Sequence, residues 1–202
     1  MPEDMEASQA APAADIGLSL DRYAINATVS RFTVKVFARG LLSAFGHSPT
    51  IAIRDIQGEV RFNPKAIEQS SLHLVVRADS LSVTDSISDK DRREIEAEMR
   101  TRVLEVDKYP QIAYEATRIS TENETNGQSN IVLLGQLSLH GVTRPQALPA
   151  RVVGTGDMLR AFGEFSLRQS NYGIKPVSAV GGGLKVKDEV TLSFDIVARR
   201  VV

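Results

Sequence analysis

The dominant pattern in the chain is alternation with a period of two. Ile131, Leu133, Gly135, Leu137 and Leu139 fall on one parity, while Val132, Leu134, Gln136, Ser138 and His140 turn polar along the other. Neighbouring side chains of a strand face opposite sides, so this stretch predicts a strand with one buried and one wet face. Gly141 tolerates positive φ and Pro145 removes a backbone donor, which predicts a turn and a pause in the ladder between them. The alternation recurs at Phe32, Val34 and Val36, at Leu72, Leu74, Val76 and Ala78, and at Ile112, Tyr114 and Ala116. It returns at Leu148, Ala150 and Val152, at Leu159, Ala161, Gly163, Phe165 and Leu167, and at Val190, Leu192, Phe194, Ile196 and Ala198. Ile51 and Ile53 share one parity and Ile56, Gly58, Val60 and Phe62 the other, so a bulge near Arg54 and Asp55 is needed for all six to face inward.

One stretch has a helical period instead. Asp89 to Leu104 lacks Gly and Pro, and Ile95, Met99, Val103 and Val106 step by four, four and three, which predicts one amphipathic helix capped by Ser88 or Asp89. A polar hairpin tip is expected at Glu122 to Gly127, a turn at Gly154 to Asp157, and a long loop from Asn171 through Gly181, Gly182 and Gly183. Residues 1–18 carry Ala, Pro, Ser and acids without periodicity and read as a flexible tail, leaving 19–202 as one domain. About eight strands with short connections predict a mainly β protein; the pattern alone fits an antiparallel barrel or a two-sheet sandwich.

Composition narrows the classes. With 202 residues, 42% hydrophobic content and a net charge of -1, the chain can bury one real core and has no basic stripe for nucleic acid. The lack of cysteine excludes disulfides, cysteine-ligated metals and thiol catalysis. No stretch approaches the roughly 20 apolar residues of a transmembrane helix, and the acidic start has no apolar run for export, so a cytoplasmic protein is expected.

Candidate chemistry is sparse. His47, His73 and His140 lack ligand-like spacing; a metal site would require His47 and His140 to converge with a carboxylate, and ordinary hydrogen bonds at strand ends are the simpler expectation. Asp85, Asp89, Asp91 and Glu94 suit a helix start better than acid-base work. Ser43, Ser48 and Ser170 have no nucleophile-elbow context, and the three glycines lack the Lys-Ser/Thr of a phosphate loop. No catalytic residue, metal or cofactor is therefore expected.

Five ordered segments carry a resemblance. Gly58-Glu59-Val60-Arg61-Phe62, Ala78 to Asp85 running into Asp91-Arg92, Val106 to Ile112, Gly135 to Arg144, and Asn171-Tyr172-Gly173-Ile174 resemble the YceI-like family, also called polyisoprenoid-binding or lipocalin-like, from Tyr23 to Ala198. The resemblance implies an eight-stranded antiparallel, lipocalin-like barrel whose apolar interior holds a long isoprenoid tail in some members, many of which are exported. Two positions depart from the family's pattern: Gln169 stands where an Arg is common, and Val103-Leu104-Glu105-Val106 replaces a pair of aromatics.

The implied function is binding or carriage of an isoprenoid or other long-chain amphipathic lipid, without a cofactor; a homodimer is a possible assembly. The cavity-lining candidates are Phe32, Val34, Phe45, Ile53, Leu74, Val76, Met99, Tyr114, Leu137, Phe165, Leu192 and Phe194. Small residues in the inward rows, Gly58, Gly135, Ala161 and Gly163, either leave room for a ligand or mark bends. The rival readings are an interaction or stress-response module with a filled core, and a metal-dependent enzyme. The helix is expected to lie across one barrel end, with Met99 at the middle of its buried stripe.

Overall fold

Eight long strands make the molecule, three of them broken, so that pairing divides into eleven segments. The computed structural model describes residues 20–39, 49–125, 127–177 and 185–201. The first strand comprises β1 (Asp21–Ile25) and β2 (Arg31–Arg39), the second β3 (Thr50–Ile53) and β4 (Ile56–Phe62), the third β5 (Ser71–Arg77) and β6 (Leu81–Val83). Then follow β7 (Gln111–Thr125), β8 (Gln128–Leu139), β9 (Val142–Thr155), β10 (Met158–Arg168) and β11 (Lys185–Arg200). All pairings are antiparallel. β11 pairs with β10 on one side and on the other with β2 and then β1, which closes the barrel.

The breaks are repaired by side chains. Where the first strand bends, the Ser30 hydroxyl donates to the Val197 carbonyl at 3.3 Å and accepts from the Val197 N–H at 3.0 Å, substituting for the missing ladder bonds. The expected bulge in the second strand falls at Arg54 and Asp55, and a 3₁₀ turn at Ala78–Ser80 interrupts the third. There the Ser80 hydroxyl accepts from the Asp55 N–H at 3.1 Å, tying the two breaks together.

The barrel's two ends differ. One carries the connection between β4 and β5 and the tips between β7 and β8 and between β9 and β10; the other carries the helix between β6 and β7 and the turn between β8 and β9. β6 pairs with β3 but, among the described residues, with no strand on its other side. Helix α1 (Asp89–Glu98) covers that edge: Arg92 donates to the carbonyls of Val83 and Asp85, and Glu96 accepts from the Val83 N–H at 3.0 Å. Ser88 is the N-cap, accepting from the Asp91 N–H at 3.1 Å.

Several expectations require correction. The helix does not continue regularly to Leu104; Met99–Val103 forms a π-type turn, closed by the Leu104 N–H on the Met99 carbonyl at 2.9 Å. Its stripe is not wholly covered, since Met99 is buried and Val103 and Val106 pack on the core while Ile95 remains 38% exposed. β7 runs on to Thr125, past the expected start of the hairpin tip. β9 also begins earlier than its apolar residues implied, because pairing with β8 resumes at Val142 and passes through Pro145 and Pro149. The prolines act on the other edge, where pairing with β10 stops at Arg151 opposite Phe162. Phe45, His47, residues 1–18 and the triple glycine lie outside the described residues.

Candidate ligand-binding cavity

The inward rows do not fill the barrel. They line a cavity of about 800 Å³, within the size range of small-molecule sites. Its walls take Phe32, Val34, Ile53, Leu74, Val76, Tyr114, Leu137, Phe165, Leu192 and Phe194 from the strands and Met99 from the helix, so eleven of the twelve candidate residues border one space. The twelfth, Phe45, is undescribed.

The glycines of the inward rows prove to be seats for larger side chains. A Cβ on Gly135 would lie 2.8 Å from the Tyr114 ring and 2.3 Å from the Glu115 carbonyl, and one on Gly163 would lie 2.8 Å from the Phe194 ring. Tyr114 is thereby laid across β8, where its hydroxyl meets the carbonyls of Leu133 and Gln146, each at 3.0 Å. Burial holds this phenol well above its ordinary range, so it is a neutral wall residue that points its polar tip out of the cavity. Phe194 stacks on Phe32 with ring centroids 5.8 Å apart.

At the end with the shorter connections, Tyr23, Leu159 and Ala198 close the space together with Ile25, Val60 and Phe62. Tyr23 meets Phe62 edge-on and donates to the Gly156 carbonyl at 2.9 Å. At the other end the lining becomes mixed. Ile95, Met99 and Val103 form one helical row, and Glu94, Glu98 and Arg102 form the row beside it. These three are the charged residues of the lining among the described residues. Arg102 lies 2.7 Å from Glu98. Gln169 also borders the cavity, and its amide nitrogen donates to the Lys187 carbonyl at 3.0 Å. Neither the charged row nor Gln169 was singled out as a site residue by period-two reasoning, although Glu94, Glu98 and Arg102 fall four apart in the sequence.

The histidines do not converge on a described metal site. His73 lies on the exposed face of β5. His140, the last residue before the turn, places Nε2 2.7 Å from the Glu105 carboxylate and Nδ1 3.2 Å from the Tyr172 carbonyl. Both partners are acceptors, so both bonds form together only on the doubly protonated ring. The Tyr109 ring packs on it at 4.5 Å. Glu105 and His140 are also the non-glycine residues with positive φ among those described, so this contact holds strained backbone at the helix exit and at the β8–β9 turn. No group of three or more His, Asp or Glu among the described residues is arranged to hold a metal ion. The acids near the helix start act structurally: Asp85 accepts from the Thr50 N–H at 2.6 Å, and Asp91 from the Ser88 hydroxyl at 2.7 Å. Ser170 is tied to Asp188 through both its hydroxyl and its N–H, which hold that carboxyl below its ordinary range. No described helix is long and apolar enough to cross a membrane.

Among solved structures, Burkholderia cenocepacia BcnA superposes with a TM-score of 0.68 at 16% identity, covering 86% of this chain and 98% of its own. A polyisoprenoid binding domain from Saccharophagus degradans, implicated in plant cell wall breakdown, gives 0.63 at 12% identity, over 89% of this chain and 98% of its own. These likenesses establish the fold. In sequence, a UPF0312 protein of Enterobacter sp. is 28% identical over 104 residues, and Protein YceI of Salmonella arizonae 27% over 104. Those matches span 52% of this chain and 48% and 49% of the relatives, so the chain aligns with about half the length of the curated relatives it matches. The YceI-like domain matches residues 23–198, from the first strand of the barrel to the last, and the chain belongs to that family.

Proposed function

We propose that the protein is a carrier that holds the tail of an amphipathic lipid, an isoprenoid, inside the barrel and admits it past the helix. The observation that carries this reading is the apolar cavity of about 800 Å³, blocked at one end by Tyr23, Phe62 and Leu159 and edged by charge at the other. Such a space suits a molecule with one long apolar end and one polar end. Burial supplies about 0.8 kcal/mol per CH₂, so two or three isoprene units supply enough gross stabilisation for a micromolar complex, near -8 kcal/mol. The solved domain described as polyisoprenoid-binding shares the fold. An apolar cavity of this size favours carriage over an interaction module with a filled core.

Native mass spectrometry of protein purified without detergent tests the reading. The expected result is a fraction carrying a lipid mass, removed by solvent extraction and restored by a long-chain prenol. A protein that stays at its bare mass before and after prenol addition would contradict it.

A further inference from the structure

The polar end of the cavity has a charge arrangement that bears on the ligand's head group. We infer, building on the lipid-carrier reading, that this site selects an uncharged, hydrogen-bonding head such as a hydroxyl and rejects an anionic one such as a phosphate.

Two observations lead there. The charged lining residues among those described are Glu94, Glu98 and Arg102, a balance of two acids to one base. The single base is already engaged, because Arg102 lies 2.7 Å from the Glu98 carboxylate, whereas Glu94 has only Lys90, at 4.0 Å. An entering phosphate would have to draw Arg102 from Glu98 and then sit beside two carboxylates.

Gln169 completes the argument. It is 9% exposed and borders the cavity, and its amide nitrogen donates to the Lys187 carbonyl. That bond fixes which end of the amide is the NH₂. The amide oxygen has no partner among the described residues and is not sealed from contact, so a neutral acceptor is left open to a donor that the protein does not supply. A hydroxyl satisfies it. A fully ionised phosphate, which has no proton to donate, does not.

The test is competition against a fluorescent prenyl probe by farnesol and by farnesyl phosphate, which share one tail, at fixed ionic strength and below their aggregation thresholds. Farnesol is expected to displace the probe at a concentration at least ~10-fold lower. Glu98→Gln combined with Glu94→Gln should narrow that ratio by improving the phosphate, and Gln169→Met should weaken farnesol about threefold to tenfold while leaving farnesyl phosphate nearly unchanged. Equal or tighter binding of the phosphate to the parent protein would overturn the head-group inference and leave lipid carriage standing. Failure of probe, alcohol and phosphate alike to bind folded protein would instead overturn lipid carriage. A Gln169→Met variant that weakens both ligands equally would remove Gln169 from head recognition.

Discussion

The two ends of the barrel are built from the same strands and do opposite things. At the end near the chain's first and last strands, Tyr23, Phe62, Leu159 and Ala198 pack into a plug, and a tyrosine hydroxyl ties it to the β9–β10 tip. At the other end the third strand is left with an uncovered edge, and a helix closes it through Arg92 and Glu96 rather than through a ladder. Ladder bonds are renewed residue by residue, whereas the helix rests on a few side-chain bonds and one apolar row. The proposed carrier needs one end to open while the barrel stays intact, and this asymmetry makes the helical end the one to test as a gate.

The comparison can be broken most severely in the shared wall. Phe194→Ala removes a ring that stacks on Phe32 and covers Gly163, and should cost about 3 to 5 kcal/mol in denaturant unfolding. A loss below about 1 kcal/mol would mean that the ring is not part of the wall. Met99→Asp should act at one end only. A carboxylate against the cavity's apolar lining should loosen the helix, raising hydrogen exchange over 89–103 and speeding release of a prenyl probe severalfold, while β7 to β11 keep their protection. Protection lost equally across all strands would make the helix part of the core, and unchanged exchange and release would remove the gate.

His140 offers a finer test of the helical end. It joins the helix exit at Glu105 to the segment containing Tyr172, and both bonds require a protonated ring. His140→Ala removes both bonds and should lower exchange protection at 105–110 and 169–174. Protection in those two segments unchanged in the variant would dissolve the link. The smallest effect should come from Asp188, whose carboxyl is held low by Ser170. A depressed folded-state value contributes stability above the ordinary carboxylate range and loses it as pH falls through the folded value. Asp188→Asn should thus lower Tm at neutral pH by about 2 °C and lose its difference from the parent in acid. An equal difference at every pH would point to packing instead.

What could be read from the residues follows the physics of each region. The wall was legible because a strand writes its inward face every second position, and the register shift at Arg54 and Asp55 was visible as a change of parity. Strand ends were less so: Pro145 suggested a pause, but its missing donor matters only toward β10, which a single strand's pattern cannot show. The helix was visible as a period, yet the π-type turn at Met99–Val103 and the exposure of Ile95 depend on where the barrel rim lies. Gln169 and the pair between Glu105 and His140 were hidden for the same reason, since each arises from residues far apart in sequence meeting at one end. The glycines were ambiguous between space and bend until Tyr114 and Phe194 were seen lying on two of them.

The central claim, that a lipid tail enters the barrel itself, has one direct measurement. The chain contains no tryptophan, so Phe165→Trp would place the sole indole on the cavity wall. Titration with a prenol brominated along its tail should quench that fluorescence saturably, at a stoichiometry of one, and unlabelled prenol should restore it. Folded protein whose indole is unaffected by the brominated prenol, while prenol still binds by mass, would place the lipid outside the barrel and contradict the account.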